Sequence, residues 1–105
     1  MSREARVAKN EVMFREVNER IRELAPAGGA TDFLCECGDA GCVEPVGLTL
    51  SDYERVRRDS TRFFVRPGHE LPDVEAVVER NDEYLVVVKR EGTPADIADA
   101  NDPRA

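Results

Sequence analysis

Apolar residues recur at three- and four-residue steps through positions 3–24, where Met13, Phe14, Val17, Ile21 and Leu24 predict one amphipathic helix. Glu11 with Arg15 and Glu16 with Arg20 stand four apart in the favourable order, which predicts ion pairs on its polar side. Pro26 and Gly28-Gly29 end the pattern. The period then changes to two: Asp32-Phe33-Leu34-Cys35 reads as a strand and Val46-Gly47-Leu48-Thr49-Leu50 as its return. Ser51-Asp52-Tyr53-Glu54 has the form of a capping box opening a short helix, with Tyr53 and Val56 facing inward. Asp59-Ser60-Thr61 breaks it, and Arg62-Phe63-Phe64-Val65 predicts another strand.

Residues 74–79 and 84–89 predict a hairpin joined at Asn81-Asp82, with Val74, Ala76, Val78, Leu85 and Val87 on one face and Arg80 opposite Glu83. Val74, Val77 and Val78 also fit a helical stripe behind Pro72-Asp73, so periodicity alone leaves that segment open. The pattern as a whole predicts an α+β fold, with an N-terminal amphipathic helix packed on a small, mainly antiparallel β-sheet. One domain over residues 1–92 is expected, then a tail over 93–105 in which Thr93-Pro94-Ala95-Asp96 can cap a short helix and residues beyond 101 are disordered. The same helical stripe offers a second use, docking on a partner or pairing two copies as a homodimer.

The chain has 105 residues, 41% hydrophobic and 35% charged, which suits one domain with a modest core. No apolar run approaches the ~18–20 residues of a membrane span. The first residues are charged where a secretory signal would be apolar, so the reducing cytosol is the expected compartment. A net charge of -7 argues against diffuse nucleic-acid binding.

Candidate chemistry is concentrated in three cysteines and one histidine. Cys35, Cys37 and Cys42 lie within eight residues, and an odd count cannot close a complete disulfide framework. In a strand, Cys35 and Cys37 share a face. Gly38-Asp39-Ala40-Gly41 then turns the chain back to Cys42, its glycines free for positive φ. After 26 intervening residues, Arg66-Pro67-Gly68-His69 forms a second turn that can deliver the only imidazole. Cys35, Cys37, Cys42 and His69 make a closed Cys3His set suited to zinc. Glu36, Asp39, Glu44 or water are the substitutes if His69 is not a ligand, and Glu70 or Asp39 would fix its second ring nitrogen.

Plain burial of the cysteines and thiol redox chemistry are the competing readings, the latter disfavoured by the acidic Glu36 and Asp39. Three Cys and one His also hold [2Fe–2S] clusters, but in proteins whose last Cys and His lie four residues apart in a Cys-Asp-Gly context absent here. Softness and tetrahedral preference favour zinc.

No phosphate-binding glycine loop occurs, a Ser-His-acid triad would need the same single histidine, and a closed four-ligand shell leaves no position for a reactive water. Catalysis is therefore the weaker expectation. Arg55, Arg58 and Arg62 form a local basic patch that could touch nucleic acid or another protein, although no aromatic pattern accompanies it.

Phe14-Arg15-Glu16-Val17-Asn18-Glu19-Arg20-Ile21, Phe33-Leu34-Cys35-Glu36-Cys37-Gly38, Cys42, Leu48-Thr49-Leu50, Tyr53-Glu54, Arg62-Phe63, Pro67-Gly68-His69-Glu70 and Asn101-Asp102-Pro103-Arg104 together resemble a group of small uncharacterised bacterial proteins. The resemblance implies a single compact domain and the Cys/His set, and no activity. The expected function is a cytoplasmic zinc-stapled module that binds another protein in a regulatory setting. A nucleic-acid-binding regulator and an iron–sulfur or thiol redox protein are the alternatives.

Overall fold

Ser2 starts the first helix by accepting the Ala5 N–H on its hydroxyl, and in the computed structural model, which describes residues 2–104, this helix, α1, runs Arg3–Leu24. Its span is the predicted one, but its buried face is not. Met13, Val17 and Leu24 are 50%, 41% and 86% exposed, while Val7, Ala8, Glu11, Phe14, Arg15 and Asn18 face the interior. The predicted stripe failed because three of those interior positions are polar side chains satisfied by distant partners, which apolar periodicity cannot register. Glu11 and Arg15 are thus not a surface pair, and Arg20 pairs with Glu23 instead of Glu16.

Two antiparallel sheets lie beneath α1. Strands β1 (Ala30–Leu34) and β2 (Pro45–Thr49) pair with Phe33 opposite Val46. Strands β3 (Arg62–Val65), β4 (Glu75–Arg80) and β5 (Leu85–Lys89) form a second sheet in the order β3-β5-β4. The α+β architecture is as the sequence predicts, with the sheet divided in two. The 74–79 segment is strand rather than helix, but its register differs: Arg80 opposes Leu85, and a bulge between Val77 and Glu79 turns Val78 outward, 44% exposed. The cause is the connection. Asn81 accepts the Glu83 and Tyr84 N–H groups on its side-chain oxygen, making a four-residue loop rather than a two-residue turn.

Helix α2 (Leu50–Arg57) is capped by Thr49, whose hydroxyl accepts the Asp52 N–H, and not by Ser51. Tyr53 and Val56 are buried as expected; Tyr53 stacks on Phe33 at 4.4 Å, and both rings meet Phe64 edge-on. Helix α3 (Thr93–Ala100) forms where a short helix is expected and lies against α1. Arg15 fastens it, donating to the carbonyls of Ala98, Asn101 and Ser60 at 2.8, 2.9 and 2.6 Å. A buried cation at these C-terminal carbonyls satisfies groups the helix leaves open. Where disorder is predicted, Arg104 pairs with Glu19 and Glu54; Ala105 lies outside the described residues.

Under α1, Lys89 reaches both Glu11 and Glu75, all three side chains at most 1% exposed. Two carboxylates cannot both stay charged beside one ammonium at this depth. Burial, reinforced by the Glu75 charge, pushes Glu11 up to about 9 against the pull of Lys89. Glu11 therefore folds protonated at neutral pH, whereas in the unfolded chain it is ionised above about 4.3. The native state holds the extra proton across that window, so this contribution is complete below the unfolded value and declines as pH rises towards 9. Glu11→Gln, which mimics the neutral acid, should flatten the pH dependence of urea midpoints between pH 6 and 9. Wild type should lose up to about 1.4 kcal/mol per unit more than the variant; parallel curves would refute the protonated Glu11.

Candidate metal centre

At the end of β1 the chain changes partners. Cys35 N–H donates to the Glu44 carbonyl on the β2 side, and Glu36 N–H donates to Phe64 in β3, both at 2.9 Å. Just past the end of β1, Cys35 and Cys37 join one side-chain group while Glu36 lies apart from it on Arg57, the alternation of a strand continued beyond its last pair. The following turn closes through Cys42 N–H to the Asp39 carbonyl at 3.0 Å, while the Asp39 carboxylate accepts the Gly41 N–H at 2.9 Å. Neither Gly38 nor Gly41 uses the positive φ expected of it. Gly38 is needed for space: a Cβ there would stand 2.4 Å from Val7 Cγ1. Asn10 secures the same point, donating to the Gly38 carbonyl at 2.9 Å.

The fourth residue comes from the β3–β4 connection. His69 N–H donates to the Arg66 carbonyl at 3.0 Å, with Pro67 and Gly68 between them and Gly68 at φ +93°. This is the residue pattern of a type II turn, in which glycine carries the positive φ.

The two turns bring one ligand atom each from Cys35, Cys37, Cys42 and His69 to within 4.8 Å of one another. His69 Nδ1 lies 3.5 Å from Cys35 Sγ and 3.7 Å from Cys42 Sγ. The cysteines are buried and free of disulfide, and His69 is half-buried. The group can hold one metal ion.

Backbone N–H groups support the sulfurs: Arg66 donates to Cys35 at 3.3 Å, and the amides of Asp39 and Glu44 serve Cys37 and Cys42. Three crowded thiols do not ionise independently. A hydrogen bond from the Cys35 thiol pulls Cys37 down to about 5. Cys35 is pushed up because it donates that bond and because it is buried, and burial pushes Cys42 up. A divalent cation would override these differences, since its charge favours thiolate on every sulfur it touches.

Glu36 is not a substitute ligand. It is fully buried on the opposite face, where Arg57 grips both its oxygens at 2.6 and 2.9 Å. Asn18 donates to it at 2.9 Å and Phe64 N–H at 3.3 Å. Arg57 also sits within 6 Å of the Tyr53, Phe63 and Phe64 rings. This network behind the cysteines is invisible in composition; only the strand alternation, which turns the middle residue of Cys-x-Cys inward, points to it. Nor do Glu70 and Asp39 hold the second histidine nitrogen. Glu70 accepts the Gly68 N–H at 2.8 Å, Asp39 is used on Gly41, and no acceptor for Nε2 occurs among the described residues.

The arginine patch is largely engaged. Arg55 pairs with Glu79 and Asp52, and Arg62 approaches Glu79 and Asp59, leaving Arg58 exposed. No helix among the described residues is long and apolar enough to cross a membrane. No family model, curated protein or solved structure matches the chain.

Proposed function

We propose that the chain is a cytoplasmic, zinc-stapled interaction module, in which Cys35, Cys37, Cys42 and His69 hold one structural Zn²⁺. The observation that carries this reading is the convergence of four soft or borderline ligand atoms from two separate turns within 4.8 Å. A tetrahedral zinc with sulfur at ~2.3 Å and nitrogen at ~2.0–2.1 Å has S···N edges of about 3.6 Å. The 3.5 and 3.7 Å separations agree with that size. A two-iron cluster divides its ligands between two ions and needs a wider set, so the compact grouping supports a single ion. Four protein ligands complete the shell, which favours a structural over a catalytic role. The engagement of Arg55 and Arg62 by acids weighs against nucleic acid and leaves protein as the favoured partner.

Native mass spectrometry of protein purified without added metal tests the centre. One zinc per chain is expected, with all three thiols resisting alkylation until a chelator is added. A metal-free mass with freely alkylated thiols at native stability would reject it.

His69→Ala separates the two halves of the site. Changing even an outer-shell partner weakens metal binding about 10–100-fold, so loss of a direct ligand should cost at least tenfold in competition with a chromophoric chelator. Cys37→Ala should cost more, because it removes a charged ligand held by the turn itself. Wild-type zinc affinity in His69→Ala would remove His69 from the shell.

A further inference from the structure

Beside the metal centre lies a depression of about 260 Å³ lined by Cys37, Gly38, Asp39, Gly68, His69, Glu70 and Leu71. Its walls are the two turns that carry the ligands. Their glycines present bare backbone, and Leu71, half-exposed, adds an apolar side chain next to Gly38. Asp39 and Glu70 stand at its rim, each with one oxygen on a turn N–H and neither in a salt bridge among the described residues. Arg66, the basic residue closest to His69 in sequence, donates instead to the Pro45 carbonyl at 3.0 Å.

We infer that this depression is a docking pocket for a basic side chain, lysine or arginine, presented by a protein partner. The inference rests on the zinc reading for part of its charge. A divalent ion with three thiolates and a neutral imidazole carries a formal -1, and Asp39 and Glu70 bring the local total to -3. Long basic side chains lay an alkyl stem on apolar surface and keep the charged head at the polar edge. Leu71 and the glycine backbone match the stem, and the two carboxylates match the head. The volume suits one side chain rather than a folded segment, so the partner contributes a single anchor here and its remaining contacts lie outside the pocket.

The test uses the metal-loaded full chain, with one ion per chain verified by mass before each titration, so that loss of the metal is seen separately from loss of the pocket. N-acetyl-arginine amide and N-acetyl-lysine amide are titrated in amide-resolved NMR against N-acetyl-norleucine amide, which keeps the stem and lacks the charge. Shifts are expected at Gly38, Asp39, Gly68 and Leu71, with affinity on the order of millimolar for so small a ligand. Asp39→Asn with Glu70→Gln keeps both turn-capping oxygens while removing two charges. Binding to this double variant should be about tenfold weaker, a difference of 1.4 kcal/mol. Raising salt should weaken binding to the wild type. Absence of shifts in fully metal-loaded protein, equal shifts with the norleucine analogue, or unchanged affinity in the double variant would each overturn the assignment.

Discussion

Chelation of the metal proposed at Cys35, Cys37, Cys42 and His69 is expected to unfold residues 32–70 rather than loosen one loop. Structural zinc in small sites contributes ~10–16 kcal/mol of apparent binding energy. That matches or exceeds the ~5–15 kcal/mol by which whole domains are stable. The reason is local as well as global. Cys35, Cys37 and Cys42 belong to the same apolar cluster as Phe33, Phe64 and Val65, so the candidate ligands are core residues and not an appendage. Removing the cation leaves three mutually interfering thiols inside that core, two of them pushed towards the protonated form. Hydrogen exchange followed before and after addition of a strong chelator should show protection collapsing across the β1–β2 unit, α2, β3 and the His69 turn. An unchanged thermal midpoint and unchanged exchange after demonstrated metal loss would sink the structural role.

The second large effect is expected from the carboxylate behind the cysteines. Glu36→Ala should cost about 3–5 kcal/mol, the range for removing one partner of a buried ion pair. The cost arises from what remains: Arg57, 3% exposed, keeps its charge with no carboxylate to face it, and Asn18 and Phe64 N–H lose an acceptor. Replacing both members, Glu36→Met with Arg57→Met, should recover much of that loss, because two apolar side chains of similar length strand no charge. Urea denaturation of the single and double variants with metal kept saturating measures both. A single variant within about 1 kcal/mol of wild type would mean that the network carries little of the stability.

What the sequence made legible follows from which signals are local. The span of α1, the strand at residues 62–65 and the inward Tyr53 and Val56 are set by neighbours a few positions away, and the α+β architecture follows from them. The grouping of Cys35, Cys37, Cys42 and His69 was legible for the same reason: each turn announces itself by its own glycines, and only one imidazole is available. The buried face of α1 was not legible. Glu11, Arg15 and Asn18 reach Lys89, the end of α3 and Glu36, at sequence separations of 78, 83 and 18. No periodicity announces that a charged residue will find such a partner. The hairpin register was lost through one side chain, Asn81, which lengthened the loop, and a bulge then absorbed the mismatch.

The Cys-Glu-Cys tripeptide faces two ways, and this bears on how the chain tolerates insertion and deletion. A strand that slips by one residue exchanges its two faces. Here a slip would set two thiols against the Arg57 guanidinium and aim a carboxylate at the site meant for sulfur. Both sides would reject the error, one through an unpaired buried charge and the other through a shell short of ligands. Adding or deleting one residue between Cys35 and Cys37 should therefore be ruinous. A change of length in the exposed Asp39-Ala40-Gly41 turn would cost the Asp39 bonds to Cys42, Gly41 and Cys37, but it would leave the two faces of the strand in place. With a metal held by the cysteines, the alignment of β1 would be checked twice, once by ion pairing and once by coordination, which would guard a short strand against the misalignment that its five residues alone would do little to prevent.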